Sequence, residues 1–170
     1  DYEYDTNAVV RAVANLNYNF SGWYEGSKLV STSANYTFKV SGNRTLEAKF
    51  TRQNYMVTLN TNINGGTLSG GGSYEHGKNV IVRAVPALGY SFESWSENGS
   101  IVSTNPDFTF TISSNRTLTA NFKANKYSIS VANSYVNNTS SNHGGSVSGQ
   151  GSYDYGTGIK IQAIENTGFI

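Results

Sequence analysis

The residues able to do chemistry in this chain are few, and their spacing argues against most of the reactions they could support. His76 and His143 are the two histidines, and neither stands beside a serine or a carboxylate as a nucleophilic triad requires. Both are expected at the surface. The eleven acidic residues are scattered along the chain. Glu3 and Glu75 recur at equivalent places, as do Glu25 and Glu97, but two carboxylates without converging pocket residues do not make a glycosidase. An ion pair from Glu75 to Arg83 is expected instead. The run GGTLSGGGSYEHG (65–77) has the glycine content of a phosphate cradle, yet no Gly-Lys-Ser/Thr follows and no helix N-terminus is there to receive an anion. It also lacks the aspartates of calcium-binding glycine-rich nonapeptides. A tight connection between strands is the expectation. The chain has no cysteine, so disulfides and thiolate metal sites are excluded. No catalytic residue, cofactor or metal ligand is assigned, and no enzymatic activity is expected.

Binding is the other use for such side chains. Exposed Trp and Tyr can stack on sugars, and the chain has two tryptophans and twelve tyrosines. Trp23 and Trp95 lie within apolar alternation, however, and a unit of about 70 residues buries only about 60% of its unfolded surface, so its largest side chains are needed inside. Tyr2, Tyr74 and Tyr153 each adjoin an acidic residue in a turn-like stretch. They are expected to be half exposed and are the candidate ligand-binding residues. Asn43 and Asn115 begin Asn-x-Thr triplets of the glycosylation type, but such triplets arise by placement alone in a chain so rich in Asn, Ser and Thr. Both are read as turn residues whose side chains bond the local backbone.

Composition narrows the classes further. With 14% charged residues and a net charge of +1, the chain lacks the basic excess that neutralises a phosphate backbone, so nucleic acid is not an expected partner. No apolar run approaches the ~20 residues that cross a bilayer as a helix. Abundant Gly, Asn, Ser, Thr and Tyr with only two prolines is the mixture of short strands joined by turns, as in extracellular β-proteins.

The elements that position these residues are set by a repeat. Residues 115–122, NRTLTANF, echo residues 43–50, NRTLEAKF, and sliding 1–50 onto 73–122 without a gap leaves 24 of the 50 positions identical. Tyr2/Tyr74, Arg11/Arg83, Phe20/Phe92, Trp23/Trp95, Phe38/Phe110 and Phe50/Phe122 are among them. A third copy starts at Tyr127, matching Tyr55; after seven extra residues its GGSVSGQGSYDYG (144–156) matches 65–77. The chain thus holds a partial repeat over 1–51, a complete one over 55–124 and a second partial one over 125–170. Within the complete unit the apolar period is two, which makes the units all-β. Strands are expected over 55–59, 79–85, 90–97, 100–104, 108–112 and 116–122. Asn98-Gly99 is a two-residue hairpin signal, because both positions tolerate the positive φ of a type I′ turn; Gly26-Ser27 holds that place in the first copy. Phe92 and Trp95 are three apart, which breaks the alternation and predicts a bulge that turns both rings to one core.

The string GYSFESWSENGSIVSTNPDFTFTISSNRTLTANF (89–122) resembles the divergent B-repeat family named after internalin B, whose pattern runs from a Gly-rich turn with a Tyr through Gly-aromatic-x-Phe-x-x-Trp to Asn-x-Thr-Leu-x-Ala-x-Phe. Ser94 stands where the family has Gly, which Gly22 keeps, and Asn17 stands where Gly89 does. The resemblance implies tandem small β-modules, β-grasp-like or small sandwiches, in stalk and adhesin parts of bacterial surface or secreted proteins. It implies no catalysis.

Two functions from different classes follow. One is a rod-like spacer serving adhesion, in which retained residues are core and turn residues; the other is a module binding a glycan or host protein through outward Tyr and Asn. Outward positions diverge between copies (Lys39/Thr111, Glu47/Thr119, Lys49/Asn121) while inward ones persist, which favours the spacer. A filament subunit is a third possibility. Four residues separate Phe50 from Tyr55 and Phe122 from Tyr127, so neighbouring repeats, the expected partners, should touch rather than swing. Residues 1–51 lack a strand like 55–61, and 125–170 lack everything from the Trp hairpin onward. Unpaired edges attract complementary strands, so both are expected to be completed, by continuation of the polypeptide first and by self-association between chains second.

Overall fold

The computed structural model describes residues 3–133 and 145–165. Among them there is no helix, and the alternation read from the sequence appears as seventeen strands. The first copy contributes β1 (Asn7–Arg11), β2 (Tyr18–Glu25), β3 (Lys28–Ser31), β4 (Asn35–Lys39) and β5 (Glu47–Arg52). The central repeat contributes β6 (Asn54–Thr61), β7 (Gly66–Ser69), β8 (Gly72–Glu75), β9 (Asn79–Pro86), β10 (Tyr90–Glu97), β11 (Ser100–Ser103), β12 (Asp107–Thr111) and β13 (Arg116–Ala124). The last copy contributes β14 (Lys126–Ile129), β15 (Gly145–Ser148), β16 (Gly151–Asp154) and β17 (Gln162–Glu165).

The central repeat places its strands in two sheets, one ordered β11-β10-β13-β6-β8 and the other β12-β9-β7. The first copy repeats the parts it has, as a β3-β2-β5 sheet and a β1-β4 pair; the last forms the pairs β14-β16 and β15-β17. Register repeats with topology. Asn54 opposes Glu75 as Lys126 opposes Asp154, and Gly66 opposes Pro86 as Gly145 opposes Glu165. By contacts the chain divides into two compact units, one of Asp1–Thr58, Gly71–Ile81 and Thr109–Arg116, the other of Leu59–Gly70, Val82–Phe108 and Thr117–Ile170. The division falls inside the central repeat.

In the first unit, β2 hydrogen-bonds β5 with a register shift between Phe20 and Gly22, so Ser21 is the extra residue of a bulge. The bulge turns two side chains three apart to one side, and the Phe20 and Trp23 rings meet at 5.9 Å. Gly26 closes the β2–β3 hairpin with φ +60. Arg44 explains one retained letter of NRTL. Its guanidinium lies 4.6 Å over the Phe38 ring and donates twice to Glu25, at 3.1 and 2.9 Å. Those bonds hold the Glu25 carboxyl below its usual range, the hydrogen bond from Arg44 being the largest cause. The folded pKa is thus depressed, so the pair stabilises the chain above the unfolded carboxylate value of about 4.3 and is lost as pH falls through the folded one. Glu25→Gln should leave less acid dependence of melting between about pH 4.3 and lower values than the parent shows; identical profiles would dismiss the pair as a contributor.

Asn115 explains another letter. Its Oδ1 accepts the Met56 N–H at 2.8 Å, 59 residues away. The expected local backbone bond gives way to a long-range one, because the turn ending at Asn115 lies beside the start of β6.

The second unit repeats the bulge, with a register shift between Phe92 and Ser94, and Phe92 meets Trp95 at 5.9 Å. Asn98 and Gly99 have φ +50 and +81, the type I′ turn expected between β10 and β11. Trp95 is fully buried and its Nε1–H donates to the Pro106 carbonyl at 3.1 Å. Leu118, Ala120 and Phe122 alternate inward along β13. Arg83 pairs with Asp107 at 3.6 Å, which displaces the expected Glu75 pairing: β9 neighbours β12, whereas Glu75 lies on β8 in the other sheet. The Asn62 amide grips the closing strand, donating to the Phe122 carbonyl and accepting its N–H, both at 2.9 Å. The Asn62 N–H donates to the Ala120 carbonyl at 3.2 Å. Residue 56 therefore meets 115 and residue 62 meets 120–122, so the neighbours β6 and β13 run parallel.

Candidate functional site

Where one repeat ends and the next begins, the chain builds the same small arrangement twice. Between β5 and β6 only Gln53 lies outside a strand, and between β13 and β14 only Asn125. The four-residue spacings of the sequence are thus single-residue joints, their flanking residues being absorbed into strands. The Gln53 N–H donates backward to the Asn17 carbonyl at 2.9 Å, and its own carbonyl accepts the His76 N–H at 2.8 Å. The Asn125 N–H donates to the Gly89 carbonyl at 2.8 Å, and its carbonyl accepts the Tyr155 N–H at 2.8 Å. Each joint residue spends one backbone group on the repeat behind it and the other on the repeat ahead. That leaves its φ and ψ little freedom, since turning either one breaks a hydrogen bond.

Side chains fill each joint differently. At the first, the Tyr55 and His76 rings meet edge to face at 5.9 Å, and the Tyr55 hydroxyl bridges Gln53 Oε1 at 3.1 Å and Asn17 Oδ1 at 3.4 Å. At the second, Tyr155 meets both Tyr90, at 5.9 Å, and Tyr127, at 6.5 Å, while the Ser91 hydroxyl donates to Asn125 Oδ1. Position 155 is the counterpart of 76, and position 89 of 17. Asn17 and Gly89 share the left-handed backbone, at φ +65 and +80. Asn is one of the few non-glycine residues that visits it readily. A Cβ on Gly89 would collide with the Tyr155 ring. At the second joint the larger ring thus packs on the residue without a side chain, whereas the corresponding positions of the first joint hold Asn17 and His76.

The sequence-predicted residues fall beside these joints, not in turns. Tyr74 lies on β8 in register with Tyr55, and Tyr153 on β16 in register with Tyr127; both are half buried. They are strand residues because the tight turn follows at Gly77 and Gly156, both at positive φ. The Tyr153 hydroxyl donates to the Gly149 and Gln150 carbonyls at 3.2 and 3.4 Å. Each tyrosine belongs to its own repeat. Tyr2 and His143 lie outside the described residues. His76 is not the surface residue expected, since it is half buried against Tyr55 with its Nδ1 enclosed and without a hydrogen-bond partner. Tyr155 escaped the sequence reading, and Gln53 and Asn125 entered it only within the four-residue spacings between repeats, although aligning 65–77 with 144–156 already sets His76 opposite Tyr155. Among the described residues no group of three or more His, Cys, Asp or Glu is placed to hold a metal ion, and no helix is long and apolar enough to cross a membrane.

Comparison with known proteins agrees with the repeat. No solved structure matches the chain. A protein of Evansella cellulosilytica named as a Gly-rich membrane protein is 31% identical over 112 residues, 65% of this chain and 13% of that protein. This chain thus spans a small part of that relative's length. The family model described as the divergent InlB B-repeat domain matches residues 1–54, 55–126 and 135–170, and the chain belongs to that family.

Proposed function

We propose that this chain is a non-catalytic spacer segment of a bacterial surface protein, a stretch of repeats that holds an adhesive part of its parent away from the cell. The observation that carries the proposal is the joint: Gln53 and Asn125 each bond backward and forward through the main chain. Such bonding suits a segment that must keep a set distance, since a flexible tether of the same length would let the repeats collapse on one another. Support also comes from the family, a bacterial surface repeat type, and from the divergence of outward residues between copies.

Small-angle scattering tests the reading. The chain should give the narrow, extended distance distribution of a rod, and inserting Gly-Ser-Gly after Gln53 and after Asn125 should broaden it towards that of freely hinged beads. A parent chain already as broad as the insertion variant would defeat the spacer proposal.

A further inference from the structure

The two joints share a main-chain plan but differ in how the polar side chains around it are used. At the second joint those groups satisfy one another. The Lys126 ammonium and the Asp154 carboxylate pair at 2.9 Å, the Ser91 hydroxyl donates to Asn125 Oδ1, and position 124 is an alanine. At the first joint the corresponding places hold Asn54, Glu75, Asn19, Gln53 and Arg52. These five line a cavity of about 790 Å3. Asn54 and Glu75 stand in register as Lys126 and Asp154 do, yet among the described residues the side chains of Asn19, Asn54 and Glu75 form no hydrogen bond or ion pair. Gln53 Oε1 accepts the Tyr55 hydroxyl, which leaves the amide's two N–H donors unspent. Arg52 commits only Nη1, to the His76 carbonyl at 3.5 Å, and keeps the rest of its fork.

The groove belongs to the joint itself. In the central repeat the opening segment meets the closing strand at Ala120 and Phe122, through Asn62, Gly65 and Gly66. Residues 51–54 correspond to 123–126 and so follow that point. The remaining walls are Asn19 on β2 and Glu75 on β8. Asn19, Arg52, Asn54 and Glu75 are exposed and within reach of a ligand.

The chemistry that fits these walls is a set of neutral hydroxyls. Arg52 and the Gln53 amide donate, Glu75 accepts, and Asn19 and Asn54 do both, while a hydroxyl can answer either kind of group. One guanidinium against one carboxylate leaves the groove without net charge, so it favours neither a phosphate nor a polyamine. We propose that the first joint is a binding groove for a neutral saccharide, held by Asn19, Arg52, Gln53, Asn54 and Glu75. Adjacent sugar hydroxyls displace the water that otherwise covers these groups, and the bonds to Arg52 and Glu75 are the stronger ones because a charge takes part. Such a groove is compatible with a spacer and does not require one.

The test offers the whole 170-residue chain to an array of neutral and acidic glycans, then titrates the best-retained neutral glycan into isotope-labelled protein. The expected result is saturable binding that shifts the side-chain amide resonances of Asn19, Gln53 and Asn54. Asn54→Lys rebuilds the Lys126–Asp154 pair against Glu75 and should weaken binding on the order of tenfold, the worth of one hydrogen bond to a charged group. Asn19→Ala, an exposed change that breaks no hydrogen bond of that side chain within the described residues, should weaken it as well. Retention of no neutral glycan, preference for acidic glycans, shifts confined to other residues, or undiminished binding by both variants would each overturn the proposal.

Discussion

Trp95→Ala is expected to unfold the central repeat, at a cost on the order of 3–5 kcal/mol for the lost aromatic packing. Trp95 is fully buried, packs on Phe92 and donates its indole N–H to Pro106. Its removal leaves a cavity and costs the Pro106 carbonyl one of its two hydrogen bonds, the Ala84 N–H still donating to it at 3.1 Å, which adds about 1 kcal/mol. A domain of this size has a total stability of about 5–15 kcal/mol, so the loss is a large share of what exists. The first copy provides an internal control. Trp23 makes the equivalent bond to Ala34 at 3.3 Å, but it borders an open cavity and is 8% exposed. Trp23→Ala should therefore cost less than Trp95→Ala. Denaturant unfolding followed by hydrogen exchange, which separates the repeats, measures both. A Trp95→Ala chain that kept its melting temperature while losing affinity on a glycan array would reassign Trp95 from core to binding platform and remove the spacer proposal with it.

The second large effect is expected at the joint between the central and last repeats. Gly89→Asn keeps a residue able to hold φ near +80, so it isolates the collision with Tyr155 from backbone strain. Overpacking of this kind costs about 1–3 kcal/mol. Alternatively Tyr155 swings out and gives up its contact with Tyr90. Either way the amide of Asn125, which now bonds Gly89, should exchange faster. Adding Tyr155→His recreates the Asn17/His76 pair found at the first joint, and the double variant should recover, with a favourable coupling of about 0.5–3 kcal/mol in the cycle. Additive losses in the double variant would show that the two positions are not matched and that the resemblance of the joints is superficial.

What the sequence made legible was the part governed by short-range rules. Period-two alternation located six of the eight strands of the central repeat to within a residue or two, whereas β7 and β8 lie inside the glycine-rich run 65–77 expected to be a tight connection, because main-chain pairing with β9 and β6 needs no apolar alternation. The three-residue spacing of Phe92 and Trp95 announced the bulge, and Asn98-Gly99 announced its turn. What stayed hidden depends on which strands become neighbours. Arg83 could have met Glu75 or Asp107, and only the adjacency of β9 and β12 decides for Asp107. Asn115 looked like a self-contained turn residue because its true partner, Met56, lies 59 positions away. His76 looked like a surface residue because nothing near it in the chain reveals Tyr55 against its ring. The joints combined both difficulties, being made of main-chain bonds among three distant segments. Their one visible trace was a pair of compensating differences between copies, Asn17 for Gly89 and His76 for Tyr155.

The parallel course of β6 and β13 has a mechanical consequence. These two strands open and close the repeat, and they are sheet neighbours. A pull transmitted along the chain enters at the start of β6 and leaves at the end of β13, so it drags the two strands lengthwise past each other. Their ladder is then loaded in shear, with the bonds strained together, whereas an antiparallel pairing of the same two strands would let them peel apart one bond at a time. Resistance to such a pull is governed by the unfolding rate rather than by equilibrium stability. A segment tethering a cell against flow would thus carry its load across the strand pair best arranged to withstand it.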